Sequence, residues 1–239
     1  MHRGSHHLNL WVQGKFDSGV PGNLTLFVRF KLRIVHSLHD IMNKEARDTL
    51  RDSLRQTRHN ITSEEQTKAA QHLCHVVVEQ DIFIRATQIA FYLSFDGEID
   101  PMPLMQRALT DGKSCYLPVI SKDNSNQLSF ASFHRSTKLV TNKWGITEPP
   151  LPQIPVSPTS FDIVFVPLVG FDKNCFRLGM GKGLYDRTFG FKLANHNRLP
   201  LLVGLAHECQ LTERIPTANW DVKLGAIITP EKIYHPDTT

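Results

Sequence analysis

Residues Phe161-Asp-Ile-Val-Phe-Val-Pro-Leu168 are apolar at nearly every position. A strand with one wet face alternates apolar and polar side chains. A run without alternation is buried on both faces, as strands of a parallel sheet are. Such a sheet needs helices above and below it, and the neighbouring segments supply them. Residues 43–58 put Ala46, Leu50 and Leu54 on one helical stripe. Thr62 and Glu65 form a capping box that opens a second helix, running to about Glu79. Thr87–Ser94, rich in β-branched and aromatic residues, reads as a buried strand. Residues 101–111 make a short helix opening at prolines. Ser114–Val119 and Leu128–His134 are strands, and five prolines within 148–158 mark a loop. Residues 182–194 form a helix, and Leu201–Ala206 and Leu224–Thr229 supply the last two strands. This alternation predicts an α/β fold over 42–239: one layered domain with a mainly parallel central sheet flanked by helices.

Charge separates residues 1–41 from that domain. They hold five Lys/Arg, two Asp/Glu and five of the twelve histidines, so three of the four net positive charges are theirs. They read as an extension outside the fold, poorly ordered or not native, with Met42 as the alternative initiator. The nearly neutral remainder lacks the basic block of a nucleic-acid binder. No run approaches the ~18 apolar residues of a membrane span. Cys74, Cys115, Cys175 and Cys209 show no CxxC spacing. They fit reduced thiols in a cytoplasmic protein.

The chemistry is concentrated between the strongest strand and the next helix, in Arg177-Leu-Gly179-Met180-Gly181-Lys182-Gly183-Leu184-Tyr185-Asp186. Glycines at alternate positions let the backbone turn tightly and approach an anion. Loop N–H groups and the helix start can cradle phosphates, and Arg177 and Lys182 add charge-assisted bonds. Asp186, in the first helical turn, can hold a magnesium ion that also touches phosphate oxygens. The dinucleotide fingerprint fails at Leu184. The Walker A pattern fails at Phe176 and Gly183.

Arg-Leu-Gly-x-Gly-x-Gly-x-Tyr-Asp after a Phe-Asp loop resembles the signature of 5-formyltetrahydrofolate cyclo-ligases, also called methenyltetrahydrofolate synthetases. Further ordered matches are Arg47-Asp-Thr-Leu-Arg51, Phe91-Tyr-Leu-Ser-Phe-Asp-Gly-Glu98, Lys143-Trp144-Gly-Ile and Trp220-Asp221-Val. The wording is nearest the bacterial branch, and the fold expected is of the NagB/RpiA/CoA-transferase-like kind. The resemblance implies ATP-dependent cyclisation of 5-formyltetrahydrofolate to 5,10-methenyltetrahydrofolate, with ATP as co-substrate and Mg2+ as cofactor. It implies a reduced folate as the small-molecule partner, with no nucleic acid or membrane, and a cytoplasmic monomer.

The same resemblance assigns roles. Arg47, Arg51, Arg177 and the loop Gly179, Met180, Gly181, Lys182, Gly183, Leu184 and Tyr185 would bind ATP. Lys182 and Arg177 would act in catalysis. Leu93, Glu98, Trp144, Met180, Leu184 and Tyr185 would bind the folate. Asp186 and Asp221 would bind the metal. Blander readings stand beside these. Arg47 and Arg51 suit a solvated helix face, and Trp144 or Tyr185 a core position. Glu98 suits a cap for the 101–111 helix, Asp221 a turn, and the lone His207 a structural role. Leu184 replaces the aromatic residue usual in the family, Gly225 replaces an acid, and 1–41 has no counterpart. A reduced-folate or nucleotide binding protein without turnover is the alternative on the same fold.

Overall fold

The computed structural model describes residues 42–120, 126–141, 147–150, 156–195 and 199–237. Contacts divide the chain into two units, Met1–Lys44 and Glu45–Thr239. The expectation for 1–41 falls outside the described residues.

Helix α1 is described over 42–59. It is followed by α2 (Ser63–Val78) and a short α3 (Asp81–Arg85). Strand β1 (Gln88–Ala90), helix α4 (Met102–Thr110) and strands β2 (Ser114–Ile120) and β3 (Leu128–Phe133) come next. The small strands β4 (Val140–Thr141) and β5 (Thr147–Glu148) pair with each other. After β6 (Ile163–Val166), a tight hairpin of β7 (Gly170–Phe171) and β8 (Arg177–Leu178) leads to α5 (Leu184–Thr188). Strands β9 (Leu201–Leu205), β10 (Ala226–Ile228) and β11 (Ile233–Tyr234) complete the chain.

The main sheet has seven strands in the order β11-β10-β9-β6-β1-β2-β3. Its interior pairs are parallel, and only the edge strands β3 and β11 run antiparallel. The apolar run 161–168 forms the central strand β6, as expected. Ile163 and Phe165 face a core shared with Leu73, Val77, Leu104 and Met105 of α2 and α4. Val164 and Val166 face a second core containing Phe130, Phe161 and Phe189. Both faces of β6 are therefore dry, which explains why its sequence does not alternate.

The capping box is present: the Thr62 side chain accepts from the Glu65 N–H, and the Glu65 carboxylate accepts from the Thr62 N–H at 2.8 Å. Thr62→Ala should cost about 1 kcal/mol of stability, read by urea unfolding.

Three expectations need correction. The 182–194 helix is one α-turn, α5, followed by a 3-10 turn at Gly190–Leu193. Gly190 is a poor helix residue, and the aromatic contacts Phe130–Phe189 and Phe189–Phe191 hold the chain in its packed path. The strand at 224–229 is not the last, because β11 adds an antiparallel edge. On α1, Ala46 is exposed. Leu54 is buried and Leu50 packs against its cluster. Arg47, Arg51, Arg55 and Arg58 share that inward side, so the arginines do not form a solvated face.

Candidate active site

In the sheet order, the chain leaves β1 toward β2 on one side and returns to β6 on the other. Loops diverge at such a point and open a crevice beyond the strands' carboxyl ends. A cleft of about 290 Å3 lies there. One wall follows β1 and includes Leu93, Phe95 and Glu98; another follows β6 at Pro167 and Leu168. The glycine loop forms another, with Arg177, Gly179, Met180, Lys182, Gly183, Leu184, Tyr185 and Asp186 on the lining, and the ends of β2, β3 and β5 close the rest.

The loop is held from both flanks. Arg51 donates from Nε to the Gly179 carbonyl at 2.8 Å and also pairs with Asp48. Arg187 donates to the Lys182 carbonyl, and from Nε to the Asn126 carbonyl at 2.8 Å. Gly181 and Gly183 have φ of 91° and 60°, values that side chains with a Cβ rarely adopt. A Cβ on Gly183 would also stand 3.0 Å from Arg187 Nη1. Because α5 is a single turn, its dipole adds little. Anion affinity in this loop has to come from backbone N–H groups and side-chain cations.

Arg177 is nearly buried and serves two partners. It donates from Nη1 to the Val222 carbonyl at 2.6 Å and from Nη2 to Asp186 Oδ1 at 2.7 Å. The Val222 N–H donates to the same Asp186 oxygen at 3.1 Å. These bonds join Asp186 to the segment carrying Asp221. Asp221 itself lies off the cleft lining and accepts from Arg47 through both oxygens, at 2.8 and 3.3 Å. Its Oδ2 also accepts from the Ala218 N–H at 2.8 Å. No group of three His, Cys, Asp or Glu that could hold a metal occurs among the described residues. Magnesium needs no such group, because one or two carboxylates with water and phosphate oxygens suffice. Asp186 on the cleft fits that requirement. Asp221, off the lining with both oxygens on Arg47, does not meet it directly.

Glu98 sits in the turn after β1. Asp96 and Gly97 have φ of 55° and 77°, and the Glu98 N–H donates to the Phe95 carbonyl at 3.1 Å. Two positive φ values closed by that bond make a type I′ turn. Glu98 Oε2 accepts in return from the Phe95 N–H at 3.2 Å. Removal from water pushes the Glu98 carboxyl up to about 7, opposed by the Arg58 charge and the Phe95 N–H and reinforced by Asp96. Glu98 does not cap α4, whose N-cap is Pro101; the Met102 N–H is met by Asp100 at 3.0 Å. Asp96 is the opposite case. The Arg55 hydrogen bond, with His59 and the Arg58 charge, holds its carboxyl down at about 2 against the cost of burial.

Of the residues expected in the site, Arg47, Arg51 and Asp221 stand outside the cleft lining; Arg51 braces the loop at Gly179, while Arg47 and Asp221 pair with each other. Gly181 is beside Arg51, its would-be Cβ 3.7 Å from the guanidinium carbon. Trp144 lies outside the described residues. Tyr185 both lines the cleft and stacks on Phe189 at 6.3 Å, and its apolar surroundings push the phenol up. His207 is buried outside the lining, and burial beside the Arg58 charge depresses its imidazole to about 4. It is neutral at pH 7, which agrees with a structural role. Glu148, Phe95 and Tyr92 line the cleft unanticipated. For the last two, the signal was the end of a buried strand running into a turn.

Known proteins agree with this architecture. Residues 43–230 match the 5-formyltetrahydrofolate cyclo-ligase family. The 5-formyltetrahydrofolate cyclo-ligase of Escherichia coli strain K12 is 38% identical over 182 residues, covering 76% of this chain and 98% of the relative. That of Haemophilus influenzae is 39% identical over 193 residues, covering 78% and 99%. The solution structure of Aquifex aeolicus 5,10-methenyltetrahydrofolate synthetase superposes with a TM-score of 0.68 at 29% identity, covering 81% of this chain and 94% of that one.

Proposed function

Since the chain belongs to the 5-formyltetrahydrofolate cyclo-ligase family, we propose that it uses ATP to close 5-formyltetrahydrofolate into 5,10-methenyltetrahydrofolate in this cleft. The observation that carries the proposal is the shared lining: the glycine loop with Lys182 and Asp186 faces the same space as Leu93 and Glu98. A phosphate donor and a flat, mostly apolar acceptor can therefore meet there.

A formamide oxygen is a poor leaving group. Transfer of the γ-phosphoryl group from ATP to that oxygen, releasing ADP, makes it a good one. N10 of the folate then attacks the formyl carbon and loses its proton, and the C–O bond breaks to release phosphate. Phosphoryl transfer depends chiefly on positioning and charge neutralisation. Lys182 and the loop N–H groups would take the phosphates. Arg177 would set Asp186 and neutralise charge beside them. Arg47 and Arg51 would reach the nucleotide by leaving Asp221 and Asp48. Asp186, with Asp221 through water, would hold Mg2+, which supplies further neutralisation of the phosphate oxygens when bound. Glu98 would hydrogen-bond the pterin or its formyl-bearing part. Leu93, Met180, Leu184, Tyr185 and Trp144 would give the rings apolar surface. The same reading makes the protein a cytoplasmic monomer without nucleic-acid or membrane partners. No helix among the described residues is long and apolar enough to cross a membrane.

The test mixes the full chain with 5-formyltetrahydrofolate, ATP and magnesium and follows the near-ultraviolet absorbance of the methenyl product. A rise that requires ATP is expected. Lys182→Ala should raise the KM for ATP and lower kcat/KM for ATP about a hundredfold. Tight folate binding without any absorbance change would instead establish a binding protein.

A further inference from the structure

The most deeply buried charge in the described chain is not on the cleft but directly beneath it. We propose that Arg58 is a positioning residue for the folate: it clamps the turn that carries Glu98 to the segment that follows β6. This rests on the reading of Glu98 as a folate contact.

Arg58 is 0% exposed. Burying a guanidinium is costly unless its charge is matched and its N–H groups are satisfied; Nε of Arg58 has no partner among the described residues, so its two terminal nitrogens carry the bonding. Its Nη2 donates to the Asp96 carbonyl at 2.5 Å and to Asp96 Oδ2 at 2.8 Å. Its Nη1 donates to the Leu168 carbonyl at 3.2 Å. One planar fork therefore bridges the loops on either side of the point where the sheet order reverses. Both loops wall the cleft.

Each grip is reinforced. Gln210 Nε2 donates to the same Leu168 carbonyl at 2.8 Å and to the Val169 carbonyl at 3.0 Å, which fixes that wall. Asp96 holds a left-handed backbone at φ 55°, a conformation costly for a residue with a Cβ. Arg55, Arg58 and His59, all from α1, keep it there. Gly97 brings the turn down onto the guanidinium: a Cβ there would stand 3.6 Å from Arg58 Nε. Glu98 is tied to the same turn through Phe95 at both its N–H and its carboxylate. Moving Arg58 thus moves Glu98 relative to Leu168; its bonds run to Asp96 and Leu168 and not to the glycine loop.

A purely structural arginine would lower stability and leave substrate discrimination alone. Steady-state kinetics with each substrate varied separates the two roles. Arg58→Lys keeps the charge but cannot span both carbonyls. It is expected to raise the KM for 5-formyltetrahydrofolate about 10- to 100-fold, leaving the KM for ATP unchanged. Asp96→Asn, which tolerates the left-handed turn and leaves the buried charge in place, should show the same one-sided change to a smaller degree. It serves as the test if Arg58→Lys does not fold. Wild-type kinetics in a variant with a cooperative unfolding transition would overturn the proposal, as would equal rises in both KM values. If the wild-type protein itself neither turns over nor binds the folate, the functional reading fails first and takes this proposal with it.

Discussion

Arg177→Met is expected to reduce turnover about a thousandfold and to lower stability by about 3–5 kcal/mol. The side chain is 5% exposed, and its two terminal nitrogens bind Val222 and Asp186. Truncation leaves the Asp186 carboxylate without its cation and cuts one of two bonds joining it to the Val222 segment. Arg177→Lys should recover little, because an ammonium cannot reach a carbonyl and a carboxylate in fixed directions at once. The double variant Arg177→Met/Asp186→Leu separates the two effects. Stability should largely return once no lone charge remains in the site, while activity should not. Absorbance kinetics and urea unfolding read the two quantities. An active, well-folded Arg177→Met would remove Arg177 from the mechanism.

Glu98→Gln should move stability and function in opposite directions. An ordinary glutamate titrates near 4.5 and Glu98 in the fold at about 7. Between those values the native protein keeps a proton that the unfolded chain has lost. Stability therefore falls as pH rises from 4.5 to 7 and is flat above, with a total cost of up to about 3 kcal/mol. Arg58, Asp96, Tyr92 and Tyr185 are the titratable groups that interact with it, and Arg58 alone favours its ionised form. Glutamine cannot ionise and can still accept from the Phe95 N–H. The variant should match wild type at pH 4 and exceed its stability at pH 8 by about 2–3 kcal/mol. Its affinity for the folate should drop about 10- to 100-fold, the worth of one charge-assisted bond. A variant less stable than wild type at pH 8 would refute the burial argument. Undiminished folate affinity would remove Glu98 from the site.

What could be read before the structure, and what could not, follows physical lines. Strand β6 announces a buried parallel sheet because both its faces are apolar. The Thr62 capping box is local chemistry. Strand β11 is two residues long, too short for any periodicity to register, and exists only because β10 offers it an edge. The arginines of α1 stood out only through the resemblance, for a related reason. A charge every three or four residues looks like a wet face. Nothing in the helix itself reveals that Asp96, the Leu168 and Gly179 carbonyls and Asp221 will lie opposite. The glycine loop was visible as a motif because its chemistry is contiguous. Phe95 and Glu148 were not, because the cleft is assembled from strand ends far apart in the chain.

That assembly sets when, as the chain is made, the site can be completed. Strand β1 pairs with β2 on one side and, through Ile89 and Ile163, with β6 on the other. The ribosome delivers the β1-to-β3 half first, with one edge of β1 still open. Until β6 emerges and docks, the Glu98 wall faces water rather than the glycine loop. Such distant parallel pairing is a slow event. ATP and folate can then bind only a chain that has passed it, and by mass action they hold that chain in its finished state. A ligand that binds the finished cleft and not the half-built sheet thereby favours completion of the fold.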